Sequence, residues 1–213
     1  MNLEDFHHML EYLQGRRRGR SQPIRPVLPF VTIFLVVLAP LLGLPCARGQ
    51  ANSPSEYQLK AVFLFNFAKF IDWPASSFSG PHSPFTICVL GQDPFGNILD
   101  DSLLGKIVGV RPLVIRRLKE KNEARSCQMV FVSSSESAHL PDIFASLQRA
   151  NVLLVGETTG FAASGGTIEF TLEDNRVRFT INTDSVDRSG LKFSSKLLAL
   201  AKIVRDEGHS KGG

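Results

Sequence analysis

Cysteine, histidine and tryptophan are scarce in this chain of 213 residues, with three, five and one copies, and neither acid nor base dominates it. Beyond the leader argued below, only His82, His139 and His209 remain, none at ligand spacing with a cysteine, so no zinc set is expected. Neither H-E-x-x-H nor G-x-S-x-G occurs, since Ser164 sits in Ala-Ala-Ser-Gly-Gly. Ser189-Gly190-Leu191-Lys192 matches S-x-x-K but lacks the S-D-N and K-T-G elements of that enzyme class. Gly91-Gln92-Asp93-Pro94-Phe95-Gly96 has Asp93 where a dinucleotide fingerprint needs its middle glycine. A carboxylate there repels the pyrophosphate that should approach, and Asp93 reads better as a helix N-cap before Pro94. The pairs Asp100-Asp101 and Asp206-Glu207 lie on helix surfaces with nothing apolar to drive their pKa values apart. No catalytic residue, metal or cofactor is expected.

The absence of a basic field excludes a second class. Of the formal charge of +4, +3 comes from residues 1–49, which hold six arginines against Glu4, Asp5 and Glu11. From Gln50 onward 18 bases face 17 acids, leaving nothing for counterion-release binding to nucleic acid. The basic N-terminus precedes an uncharged run of 18 residues, Val27 to Leu44, and then small residues, the order of an export signal. Ala47 and Gly49 suit a cleavage site before Gln50, so residues 1–49 are read as a leader removed at about 49–51 and residues 50–213 as one exported domain. An uncleaved anchor is the competing reading; Pro29, Pro40 and Pro45 interrupt the run and no basic cluster follows it. No stable membrane insertion is expected after cleavage. Pro45 disfavours lipidation at Cys46, and eight residues with two prolines separate Arg16–Arg18 from the apolar run, a poor twin-arginine match.

Export leaves Cys88 and Cys127, an even number in an oxidising compartment, so a disulfide is the default and two buried free thiols the alternative. Ser53, Pro54 and Glu56 suit N-cap, N1 and N3 of a helix running to about Asp72 and stopped by Pro74. That helix is apolar almost all round, with Gln58, Asn66, Lys69 and Asp72 in one stripe that also holds Val62 and Phe65. Short apolar strands are expected at 84–91, 111–118, 127–132 and 151–156, separated by helices at about 93 and 140–149. Alternating strands and helices indicate a single small α/β domain whose mostly parallel central sheet is flanked by helices.

A hairpin around Asp174-Asn175 then closes the sheet. Pairing residues that sum to 349 places Leu172 opposite Val177, Phe170 opposite Phe179 and Ile168 opposite Ile181, with Glu173 opposite Arg176, Thr171 opposite Arg178 and Glu169 opposite Thr180 on the other face. Gly165-Gly166 marks a tight bend before it. A terminal helix follows, capped by Ser194, with Leu197, Leu198, Leu200, Ala201 and Val204 inward and Gly208 as its stop.

Phe63, Phe65, Phe67 and Phe70 crowd two turns of the first helix. Either they are all core, or an apolar patch around Val62, Phe65, Asn66 and Lys69 docks a second protein or a second copy. A different reading places a small-molecule pocket at the strand ends near Asp93, Ser133, Glu157 and Thr158, where open α/β sheets bind ligands.

The segments YQLKAVFLFNFAKFIDWP, FTICVLGQDPFG, RPLVIRRL, NVLLVGETTGFAASGGTIEFTLEDNRVRFTIN and GLKFSSKLLALAKIVR occur in this order across residues 55–206. Together they resemble the YfiR family of periplasmic proteins. The resemblance implies a small, often dimeric periplasmic α/β domain that regulates signalling without catalysing a reaction. It implies restraint of an inner-membrane diguanylate cyclase through that enzyme's periplasmic sensor portion, lowering cyclic-di-GMP output and biofilm formation. Another membrane sensor, such as a histidine kinase, is the alternative partner. Cys88 and Cys127 match one cysteine pair of the family's name-giving member. Its second pair would fall, without gaps, near Ala162 and Glu169, so the resemblance implies that this bridge is absent here and a single bridge is left as stabiliser or redox sensor.

Overall fold

The computed structural model describes residues 55–206. The leader, Ser53, Pro54, Gly208 and the last residues lie outside them. The first helix, α1, spans Glu56–Phe70 and is followed by strand β1, Ile71–Asp72. Its N-cap is Ser55: the Ser55 hydroxyl accepts from Gln58 N at 3.2 Å while the Gln58 side chain accepts from Ser55 N at 2.7 Å. This reciprocal capping box lies two residues beyond the expected Ser53, since glutamine at N3 serves as well as glutamate. The helix also stops short of Asp72, because Ile71 and Asp72 pair antiparallel with Phe193 and Lys192 of β9, Lys192–Phe193.

Strand β2, Phe85–Leu90, is buried throughout. Helix α2, Asn97–Leu103, begins after Gly96 and not at Asp93. The Asp93 side chain instead accepts from Phe95 N at 2.8 Å, an Asx turn that competes with capping. Strands β3, Ile107–Val108, and β4, Arg111–Leu118, form a hairpin; β5, Met129–Val132, helix α3, Leu140–Leu147, and β6, Leu153–Gly156, follow. Next come β7, Ile168–Glu173, β8, Arg176–Asn182, and helix α4, Thr183–Ser189. With β10 at Lys202–Val204, the sheet runs β10-β8-β7-β6-β5-β2-β4-β3, antiparallel only at β7–β8 and β3–β4. It is the expected mostly parallel α/β sheet. The β7–β8 register matches all six expected pairs, and Asp174 and Asn175 take φ of 49° and 59°, as the two-residue turn demands.

The C-terminal helix is the main departure. Ser194 caps it, its hydroxyl accepting from Leu197 N, but α5 is only Ser195–Ala199, and Leu197 alone of the expected inward set is buried. The chain then extends as β10, Lys202–Val204, parallel to β8. Pairing with the open edge of β8 outweighs helical periodicity in a segment too short to bury a helix face.

Strand alternation divides the core. Cys88, Leu90, Val130, Val132 and Leu154 face α3 and pack on Ile143, Phe144 and Leu147. On the opposite face Phe95 meets Phe131 edge-on at 4.8 Å, and Phe63 and Phe67 of α1 pack on Phe170 and Phe179 with centroids 5.1–5.9 Å apart. The Phe161 ring fills the space where Gly156 and Gly166 lack side chains, for an added Cβ would lie 2.6 Å and 2.2 Å from it. Cys88 and Cys127 form the one disulfide among the described residues, with Cα atoms 6.1 Å apart across 39 positions.

Non-reducing peptide mass spectrometry of the exported protein should recover Cys88 joined to Cys127. Reduction should lower the unfolding free energy by roughly 4 kcal/mol on the chain-entropy model, read from the urea midpoint. Asn175→Val should cost about 1–2 kcal/mol by the same measurement, because a β-branched residue resists the left-handed turn.

Candidate functional site

Two regions of the surface carry the residues singled out in the sequence. The first is the end of the sheet where β2, β5 and β6 finish, which brings Asp93, Ser133, Glu157 and Thr158 to neighbouring strand ends. The side chains of Asp93, Ser133 and Glu157 already have structural work. Asp93 Oδ2 accepts from Arg117 Nε at 2.9 Å, and Arg117 also grips Asp100. The hydrogen bonds between them hold the Asp100 carboxyl below its ordinary range and, with Asp93, hold the Arg117 guanidinium above its own. Ser133 is buried, and its hydroxyl accepts from Ser135 N. The Thr158 hydroxyl is buried without a partner among the described residues.

Glu157 faces α1. Lys60, only 4% exposed, donates to Glu157 Oε2 at 2.6 Å and pairs with Glu56 one turn earlier at 2.5 Å. The Tyr57 hydroxyl reaches the same Glu157 oxygen at 3.4 Å, and its ring stands edge-on to Phe95 at 5.3 Å. Burial and the neighbouring Glu157 carboxylate push the Tyr57 hydroxyl up. Burial alone lowers the Lys60 ammonium, but hydrogen bonds to Glu157 and Glu56 outweigh it and the net shift is upward. The first turn of α1 therefore occupies the strand-end crevice.

The second region is apolar. Of the proposed contact set, Val62 and Phe65 are half-buried, Lys69 is exposed, and Asn66 is interior at 1% exposure, its Nδ2 donating to Val62 O at 2.8 Å. The polar stripe of α1 is thus narrower than the sequence suggests, because α2 packs along this helix. The Phe65 ring lies between two ammonium groups, Lys69 Nζ at 5.5 Å and Lys106 Nζ at 5.7 Å from its centroid. Lys106 leads to the β3–β4 edge, where Leu104 is 84% and Val110 88% exposed, with Ile107 and Val114 also open. Glycines at 105 and 109, at φ of 68° and 62°, turn these residues outward. Sequence reasoning missed this edge. The one available signal was the run Leu103-Leu104-Gly105-Lys106-Ile107-Val108-Gly109-Val110, apolar yet too glycine-broken to form a buried strand.

Among the described residues no cluster of three or more His, Cys, Asp or Glu is placed to hold a metal ion, and no helix is long and apolar enough to cross a membrane. A bridged α/β domain with a greasy sheet edge, its strand-end crevice filled from within, has the makings of an interaction module. The YfiR/HmsC-like family model matches residues 57–202, and the chain belongs to that family, one of periplasmic regulators. Ala162 and Glu169 are joined by a hydrogen bond, Ala162 N donating to Glu169 Oε2 at 3.0 Å.

Solved structures show only distant likeness. The ABC domain from Streptococcus pneumonia, in complex with L-Trp, is 11% identical over 56% of this chain and 55% of its own, with a TM-score of 0.41. A conserved domain protein from Vibrio cholerae is 10% identical over 70% and 60%, with a TM-score of 0.48. This chain therefore spans little more than half the length of those chains.

Lys60→Met strands the Glu157 carboxylate and should cost about 3 kcal/mol or more at pH 7, measured by urea unfolding. Because the folded value of Lys60 is raised, its contribution is complete below the unfolded value of about 10.4 and fades as pH climbs through the folded value. The gap between wild type and Lys60→Met should accordingly hold from pH 7 to 9 and close at higher pH.

Proposed function

We propose that this protein is an exported, non-enzymatic regulator that binds the periplasmic sensor portion of an inner-membrane diguanylate cyclase and holds it inactive. The observation that carries this reading is the exposed apolar edge of Leu104, Ile107 and Val110, which continues through Lys106 to Phe65. Unpaired edges invite strand addition or docking, and proteins that do not use them usually blunt them. Lys69 and Lys106 flank the patch without an ion-pair partner among the described residues. A complementary partner surface is accordingly apolar with flanking carboxylates.

Family membership supports the regulatory role and the membrane partner. Repression of the cyclase, release from it and the homodimer expected from the resemblance belong to this proposal. The reading as a small-molecule sensor at Asp93, Ser133, Glu157 and Thr158 has less support, because Tyr57 and Lys60 fill that crevice.

A pull-down with the periplasmic portion of a co-transcribed cyclase tests the patch. Val110→Asp and Phe65→Asp should each weaken capture by at least about tenfold, since a buried unpaired charge is costly, while circular dichroism stays native. Capture unchanged in both variants removes this edge from the interface.

A further inference from the structure

On the α3 side of the sheet, away from the apolar edge, a cavity of about 240 Å³ opens between α3, α4 and Asp206 beyond the C-terminal strand. One wall is apolar, built from Phe144, Leu147, Val152 and Leu154. The other carries hydroxyls and charge. Thr167 and Ser185, both buried, face each other with oxygens 3.0 Å apart, and the Arg188 guanidinium stands at the rim.

The rim already holds a carboxylate. Asp206, two residues past β10, is gripped at both oxygens by Arg188, with Nη2 at 3.3 Å from Oδ1. Asn182, fully buried, adds Nδ2 to Oδ1 at 2.6 Å. This fork suits carboxylate recognition generally, and the chain's own acid occupies it. A second cation, Arg149, lines the same cavity, has no ion-pair partner among the described residues and sits at φ 57°, a strained conformation for a residue other than glycine. Asp187 lines the adjoining cavity with both arginines and Asp184 accepts from Asp206 N, so an incoming acid takes the place of Asp206 without adding a charge that the region does not already hold.

We propose that this cavity binds a small organic carboxylate, whose acid group replaces Asp206 on Arg188 and whose apolar body lies along Phe144, Leu147 and Val152. A cavity of about 150 Å³ already holds benzene, so the volume suits a somewhat larger molecule. Exchange of the two acids has a structural consequence. Asp206 N donates to Asp184 Oδ2 at 3.1 Å, and Thr183 Oγ1 donates to Val204 O at 3.4 Å, so these ties between α4 and the C-terminal edge strand loosen when the ligand takes the fork. The inference stands independently of the docking edge.

Isothermal titration of the exported domain with phenylbutyrate, and with its uncharged amide, tests it. The acid should bind saturably and the amide about tenfold more weakly, as expected for one charge-assisted fork. Arg188→Lys should weaken the acid severalfold and leave the amide unchanged. Asp206→Asn should tighten the acid, since the internal competitor loses its charge; if Asp206 is only a structural tie, this variant binds no better than wild type. Equal binding of acid and amide, or no saturable binding in either wild type or Asp206→Asn, overturns the proposal.

Discussion

Four phenylalanine rings join the two ends of this domain, and the rest of the structure is arranged around them. Phe63 and Phe67 come from the first helix, Phe170 and Phe179 from a hairpin about a hundred residues later, and each ring of one pair touches both of the other. Aromatic pairs in such tilted and edge-on contacts are worth about 0.5–1.5 kcal/mol each beyond their buried area. Once α1 is seated on the hairpin, its apolar circumference has cover on the sheet side and along α2. The polar groups it carries inward must then find partners. Lys60 does so with Glu56 and Glu157, which fixes the start of the helix across the strand ends.

The opposite face is organised by smaller groups. The Cys88–Cys127 bridge joins β2 to the residues before β5 within the cluster that holds Ile143, Phe144 and Leu147. Phe161 plugs the gap left by Gly156 and Gly166 and meets Phe144 at 5.2 Å. Glu169 then caps the loop, taking Gly160 N and Ala162 N, each at 3.0 Å. A carboxylate clasp thus holds the loop between β6 and β7. The clasp does not respond to reductants, and among the described residues the Cys88–Cys127 bridge is the one disulfide.

These two faces divide the surface into regions with different chemistry. The β3–β4 edge is apolar and open, flanked by lysines, and suits a macromolecular partner. The α3–α4 cavity is half-open, with an arginine fork and hydroxyls facing a hydrocarbon wall, and is the proposed site of a small carboxylate. They lie at different strands of the same sheet: one beside β4, the other between β6 and the C-terminal β10. The edge strands are the elements with the fewest neighbours and therefore the easiest to rearrange.

Local chemistry legible in the sequence set the strand positions, the hairpin register and the alternation of strands and helices. Those features depend on period-two burial and on turn residues that tolerate positive φ. The pairing of Cys88 with Cys127 was legible too, on the expectation that the segment holding Cys46 is removed. Contacts between distant segments decided what remained. Ile71 and Asp72 leave the helical pattern because Lys192 and Phe193 offer them a strand, and Lys202 to Val204 leave theirs because β8 has an open edge. Asn66 is buried although its spacing marks it as surface. Asp206, which in sequence is one of a pair of solvated acids, becomes the occupant of an arginine fork. No local rule anticipates these outcomes, since each rests on a partner many residues away whose approach is known only after the sheet has closed.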